Sequence, residues 1–272
     1  MKNLLIPFGL DPINNKIVEP EDAVRGRACN CICPGCQAPL LSRHPIENRI
    51  HFAHDSKHPE AKPEEECPFS SAVAIAMMAR ELVDSLPDKV FETPDYNLEY
   101  HFECCGVTEK LPVTSQKRLT ISGANKKPLF AGQTFDLELR FGEAKILLDL
   151  FYKDKSPKLV ENTKAYDEAK SSVLAINCDT FDAEILAENK NLRFSEAVLE
   201  FLLKTGDRHW SFHPRQLTLE AKNKNSHQCQ PSIPALEPKQ YRCIACEVTW
   251  LQEEAGAPTC PKCNEHLLSS GV

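Results

Sequence analysis

Apolar positions follow three different rhythms along this chain. Over residues 3–50 they come as short runs (Leu4 to Ile6, Cys29 to Cys36, Leu40 to Leu41) between turn residues, which predicts small strands and knuckles and no long helix. Residues 69–86, FSSAVAIAMMARELVDSL, contain no proline or glycine and carry apolar residues at helical spacing, with Ser70 or Ser71 placed to cap the first turn. That stretch predicts a helix. From Asn97 to Leu150 the runs become strand-like, and FDLELRF and AKILLDLFY are the clearest pair, joined at Gly142-Glu143 in a hairpin-like turn. Residues 157–170 read as a polar helix, SSVLAINCD as a buried strand, and residues 194–204, FSEAVLEFLLK, as a helix with Ser195 as its N-cap. This succession of helices and strands is that of an α/β core.

The pattern stops at residues 221–240, AKNKNSHQCQPSIPALEPKQ, which hold three prolines and many polar residues without a period and read as a linker. The organisation expected is an N-terminal region over 1–68, a core over 69–220, a linker over 221–240 and a separate module over 241–272. No internal repeat is seen.

Composition narrows the function classes. A formal charge of −7 over 272 residues argues against a protein that coats nucleic acid through bulk electrostatics, so any such site must be local. Two local candidates exist. Residues 110–127 carry Lys110, Lys117, Arg118, Lys126 and Lys127 with no acid, and residues 204–224 carry Lys204, Arg208, Arg215, Lys222 and Lys224 against Asp207 and Glu220. A solvated loop face explains either cluster equally well. No stretch reaches about 18 uninterrupted apolar residues, and the opening MKNLLIPFGLDPINN is too short for a secretory apolar region. A cytoplasmic protein without a membrane partner is expected.

Thirteen cysteines are an odd number, and six of them form three C-x-x-C pairs, which suits metal ligation in a reducing compartment better than a disulfide framework. Near the end, Cys243 and Cys246 precede Cys260 and Cys263 by a spacing that lets four thiolates meet tetrahedrally on one zinc ion. So short a segment buries too little apolar surface to fold alone, so the metal would supply most of its folding free energy. A closed four-thiolate site leaves no open position for substrate. A redox role is disfavoured because the pair has its matched partner, whereas thioredoxin-like motifs use a single pair. At the front, Cys33 and Cys36 form one knuckle whose expected completion is His54 and Cys67, a structural site of three cysteines and one histidine. Cys29, Cys31 and His51 compete for those places.

CPGC followed by an arginine-bearing apolar stretch, then HFAH, a later cysteine, a helix and an α/β core resembles the competence protein CoiA-like family, over roughly residues 28–215. RHWSFHP at 208–214 supports the likeness, and the terminal ribbon is an addition that many members lack. The resemblance implies a PD-(D/E)XK nuclease-like core flanked by two small zinc-binding modules, with Mg²⁺ held by carboxylates to cut DNA. It assigns the first acid to Asp136, with Glu138 as a possible helper, and the second to Asp149. The position two beyond Asp149, where that pattern wants lysine, is Phe151; Lys153 shares the strand face of Asp149 and is the displaced candidate. The helix positions that carry glutamate, histidine and lysine in related members are here Ala72, Ala76 and Arg80. Alanine neither binds metal nor moves a proton, and Phe151 puts a ring where a cation should face the phosphate. Two functions follow: a degenerate nuclease fold that serves as a DNA- or protein-binding component of a DNA-processing or phage-defence assembly, or an active metal-dependent DNA endonuclease using Asp136, Asp149 and Lys153.

Overall fold

The computed structural model describes residues 6–46, 48–59, 67, 69–102, 105–226, 239–252, 256–265 and 269–271. The chain is mixed helix and sheet and divides into two compact units, Met1–Leu98 with Lys110–Glu220 and Glu99–Glu109 with Ala221–Val272.

The first unit opens on small elements. Strands β1 (Leu40–Arg43) and β2 (His51–His54) pair antiparallel with Leu40 opposite His54. Leu40 and Phe52 turn inward with Ala23, Cys31 and Cys33 to make a small core. Helix α1 (Ser71–Glu81) follows, its N-cap Ser70 Oγ accepting the Val73 amide at 3.3 Å, and a 3₁₀ turn over Leu82–Ser85 continues it. Its buried positions are Ala72, Ala74, Ile75, Ala76, Met78 and Ala79. Four alanines keep this face thin, which lets the helix lie close to the layer it packs on.

Strands β3 (Val90–Thr93) and β4 (Lys117–Thr120) form an antiparallel pair. The main sheet is then built from β5 (Gly123–Lys126), β6 (Leu137–Phe141), β7 (Ala144–Phe151), β8 (Ser171–Asn177) and β9 (Arg208–Phe212), in the order β9-β8-β7-β6-β5. The hairpin from β6 to β7 turns at Gly142, whose φ of 62° is the left-handed value that glycine adopts without strain. β7 and β8 are parallel, so residues 152–170 must cross over between them; the short helix α2 (Thr163–Glu168) lies in that crossover. One face of the sheet, Ile146, Leu148, Leu150, Leu174 and Ile176, packs with α1 and with α3 (Phe194–Glu200). Leu147, Val173 and Phe212 form a second cluster with Phe135 and Tyr166. β7 and β8 therefore carry the continuous apolar runs Ile146 to Leu148 and Val173 to Ile176, as strands covered on both faces do.

Three expectations change. The helix expected over 157–170 is confined to Thr163–Glu168, with Asn162 as its cap, because the residues before it form an irregular segment in which the Lys158 amide serves the buried Asp149 carboxylate. The N-cap of α3 is Arg193 and not Ser195: the Arg193 amide donates to Glu196 at 2.9 Å, while Ser195 donates its amide and hydroxyl to the buried Glu19. Helix α4 (Arg215–Ser226) runs six residues into the stretch read as linker, and residues 227–238 lie outside the described residues.

The second unit carries β10 (Lys239–Cys243), β11 (Thr249–Gln252) and β12 (Ser269–Gly271) in the order β11-β10-β12, with Tyr241 stacked on Trp250 at 6.0 Å. Among the described residues no helix is long and apolar enough to cross a membrane.

Candidate functional site

The three C-x-x-C knuckles share one backbone construction. In each, the first cysteine's amide donates to the carbonyl five residues on: Cys33 to Ala38 at 2.8 Å, Cys243 to Val248 at 2.9 Å, Cys260 to Glu265 at 3.0 Å. The amide four residues on returns a bond of 2.9 Å to that cysteine's carbonyl, from Gln37, Glu247 and Asn264 respectively. Those three residues sit at φ of 60°, 54° and 61°, the left-handed step that reverses the chain behind the sulfurs. Their side chains differ and their conformation does not.

At the first knuckle, the donor atoms of Cys33, Cys36, His54 and Cys67 all lie within 4.8 Å of one another. Cys33 Sγ is 3.5 Å from Cys67 Sγ, and Cys36 Sγ is 3.4 Å from His54 Nε2. The sheet register explains the histidine, since His54 stands opposite Leu40 at the end of the hairpin that leaves the knuckle. Gly35 explains the approach of Cys67: a Cβ there would sit 2.6 Å from the Cβ of Phe69 and 2.9 Å from its amide nitrogen. The competitors stand aside. Cys29 and Cys31 give their thiols to backbone carbonyls of Leu40 and Cys29, and His51 Nδ1 lies 2.9 Å from the Arg49 carbonyl. Burial pushes the Cys33 thiol up to about 12 against the amides of Cys36 and Gly35, which favour the thiolate; a dication reverses that balance, because a coordinating thiol deprotonates.

The second group is Cys243, Cys246, Cys260 and Cys263, again with all donors within 4.8 Å, and Cys243 Sγ is 3.7 Å from Cys263 Sγ. Burial acts against the Cys260 thiolate, but the amides of Cys263 and Lys262 oppose it and bring this thiol down to about 7. Both groups fit zinc: three or four sulfurs, at most one imidazole nitrogen and no carboxylate is the donor set this ion takes in closed structural sites.

The carboxylate pair is built differently. Asp149, on β7, is wholly buried, and Asp136, at the entry to β6, is 7% exposed. Asp136 Oδ2 accepts the Leu150 amide at 2.9 Å and Lys155 Nζ at 3.0 Å, and its Oδ1 faces Arg80 Nε at 3.5 Å. Asp149 Oδ2 accepts the Lys158 amide at 2.7 Å, while its Oδ1 takes Lys158 Nζ and has Lys155 Nζ at 3.6 Å. Three cations thus surround two carboxylates, as buried charges require. A Mg²⁺ ion would have to share those oxygens with two ammonium groups, so the residues present do not fit it. Cys178 beside them stays a thiol, pushed up to about 12 by burial first and by the charge of Asp136 second.

Lys153 is not among these cations. β7 ends at Phe151, and a tight turn over Lys153 and Asp154, closed by reciprocal bonds between Tyr152 and Lys155, carries Lys153 out to solvent while its amide binds Asp179 at 2.6 Å. The strand alternation that put Lys153 beside Asp149 does not extend past Phe151. The same turn folds Lys155 back, so its ammonium reaches Asp136 and the Leu150 carbonyl. Lys155 and Lys158 were not singled out from sequence. The signal was present in KDKSPK, lysines among turn residues just past a strand that buries an aspartate. Phe151 packs its ring on His209 at 5.5 Å, and Ala72 and Ala76 face the core. Glu138 pairs with Arg140 and lies apart from the two aspartates' partners.

The basic clusters also divide. Arg208 is half-buried and donates to four backbone carbonyls, those of Gly206, Glu92, Leu203 and Phe201, so its guanidinium is committed to the fold and not to a phosphate. Lys204 pairs with Glu200 and Arg118 with Glu92. Lys117, Lys126 and Lys127 remain exposed. Comparison with protein-family models, curated proteins and solved structures finds no match for this chain.

Proposed function

We propose that this chain is a CoiA-like protein whose two cysteine-rich groups hold structural zinc and whose nuclease-type core is degenerate, so that it acts as a DNA- or protein-binding component of a DNA-processing or phage-defence assembly. Acids on adjacent antiparallel strands, Asp136 at the entry to β6 and Asp149 within β7, support the nuclease-type part of this reading. The observation that carries the loss of cutting is that every oxygen of both carboxylates already faces a protein donor, with two lysines inside the cluster. A cutting site needs those oxygens for metal and needs a cation free to meet charge developing on phosphate. Here the lysines neutralise the acids themselves.

The test is hydrolysis of supercoiled and linear DNA by zinc-loaded protein in Mg²⁺ or Mn²⁺. No cleavage above background is expected, with Asp136→Ala and Asp149→Ala indistinguishable from the parent in this assay. Metal-dependent cleavage that disappears in both variants overturns the reading in favour of the endonuclease.

A further inference from the structure

In the first unit, at the end of the sheet where β7 and β8 begin, a cleft of about 330 Å³ opens between β4, β7 and the first turn of α4. Its wall carries Lys117, Lys145, Lys170 and Arg215 against a single carboxylate, Asp167. In a chain of net charge −7, four cations on one concavity run against the background. Lys170 is paired with Glu143, and Lys145 reaches Glu138 at 4.0 Å. Lys117 and Arg215 have no ion-pair partner among the described residues.

His213 lines the same cleft and feels the charge of both. Its Nδ1 accepts the Arg215 amide at 3.2 Å, so the neutral ring carries its proton on Nε2 and offers a further donor. Burial first, then the charges of Arg215 and Lys117, hold this ring down at about 4, so it is neutral at pH 7 and lies in their positive field. Beside the hydroxyl residues Thr93, Thr114 and Ser172, the lining has an apolar part that includes Leu119, Phe141 and Trp210, whose indole N–H is already given to the Pro94 carbonyl at 3.0 Å. Lys145 precedes Asp149 by four residues on β7, roughly 13 Å of strand, so the cleft is a place distinct from the carboxylate pair.

We infer that this cleft binds a nucleotide through its phosphate, with Lys117, Arg215 and the His213 Nε2–H around the anion and the apolar wall against the sugar or base. An inorganic anion would leave that wall unused, and a duplex backbone follows an extended track and does not enter a concavity. A flat apolar body with an anionic end uses both parts. The ligand is either a free nucleotide or the phosphorylated end of a strand, and the chemistry is shared. The inference goes beyond the reading above and stands whether or not the carboxylates cut.

The experiment titrates the full chain carrying Trp250→Phe, so that Trp210 alone reports, with AMP and separately with a 5′-phosphorylated oligothymidylate, and repeats the AMP titration by calorimetry on the parent chain. Saturable binding is expected, weakened at least tenfold by Lys117→Glu with Arg215→Glu, and by the milder pair Lys117→Gln with Arg215→Gln. Lys126→Glu with Lys127→Glu should leave AMP affinity within about twofold. Tighter binding of the oligonucleotide than of AMP identifies a strand end, and binding of AMP alone identifies a free nucleotide. No saturable binding of either probe by both methods, or affinity unchanged in the Lys117 and Arg215 variants, overturns the inference.

Discussion

The Cys33 group and the Asp136–Asp149 pair belong to the same compact unit, and each collects side chains that metals take, yet they are completed in opposite ways. Three sulfurs and an imidazole nitrogen converge at the first, with backbone amides around the Cys33 thiol and no cationic side chain among the four donors. Two hard donors converge at the second with Arg80, Lys155 and Lys158 already in place. The difference teaches that donor type and spacing describe half of a site. The other half is whether the protein itself supplies the positive charge. Where it does, the carboxylates become a buried ionic lock at the end of the β6–β7 hairpin. Where it does not, an ion must.

The largest effect should come from removing that ion. The parent chain should carry two zinc ions by elemental analysis, and Cys263→Ser should lose one together with the fold of the terminal ribbon, since a structural zinc contributes on the order of 10–16 kcal/mol of apparent binding free energy in small metallo-domains. Cys33→Ser should lose the other. A chain with one zinc that vanishes on deleting residues 239–272 would break the comparison at its first half.

The ionic lock should come next. Lys158→Met strands the wholly buried Asp149, and removing one partner of a buried pair costs about 3–5 kcal/mol, read as a lower denaturant midpoint. Asp149→Asn with Lys158→Met should recover part of that loss. Lys153→Ala is the control: its exposed side chain should leave stability within about 0.5 kcal/mol of the parent. A larger effect of Lys153 than of Lys158 would restore the strand-alternation view of this site.

A smaller effect is a pH dependence from His213. Its folded-state pKa lies at about 4, below the unfolded value near 6.5, so the unfolded chain binds the extra proton across that window. The contribution is fully present above about 6.5 and is lost as pH falls towards 4. His213→Gln should flatten that part of a stability-against-pH curve. An unchanged slope between those limits would show that the ring titrates normally.

The sequence was most legible where local chemistry decides. The two C-x-x-C pairs of the ribbon, the helix capped by Ser70 and the hairpin turning at Gly142 each depend on residues within one turn or one strand of each other. His54 and Cys67 had competitors in Cys29, Cys31 and His51, and only the fold shows those three held at backbone carbonyls instead. Lys155 and Lys158 were not reached, because alternation along a strand says nothing about where the strand stops, and the turn at Lys153-Asp154 reverses the direction on which the inference rested. Ser195 looked like a cap for the same kind of reason: its hydroxyl was spoken for by Glu19, 176 residues away in sequence. Arg208 read as surface charge because nothing in its spacing shows that the carbonyls of Phe201, Leu203 and Gly206 and that of Glu92, 116 residues away, converge on its guanidinium.

The central claim is that protein cations, and not a metal, hold the buried carboxylates. Electron paramagnetic resonance of Mn²⁺ titrated into zinc-loaded protein tests it directly. The account predicts no bound Mn²⁺ at the Asp136–Asp149 pair of the parent chain, and a new site only when Lys155→Ala and Lys158→Ala together free the oxygens. Stoichiometric Mn²⁺ binding by the parent that Asp149→Asn abolishes would contradict it.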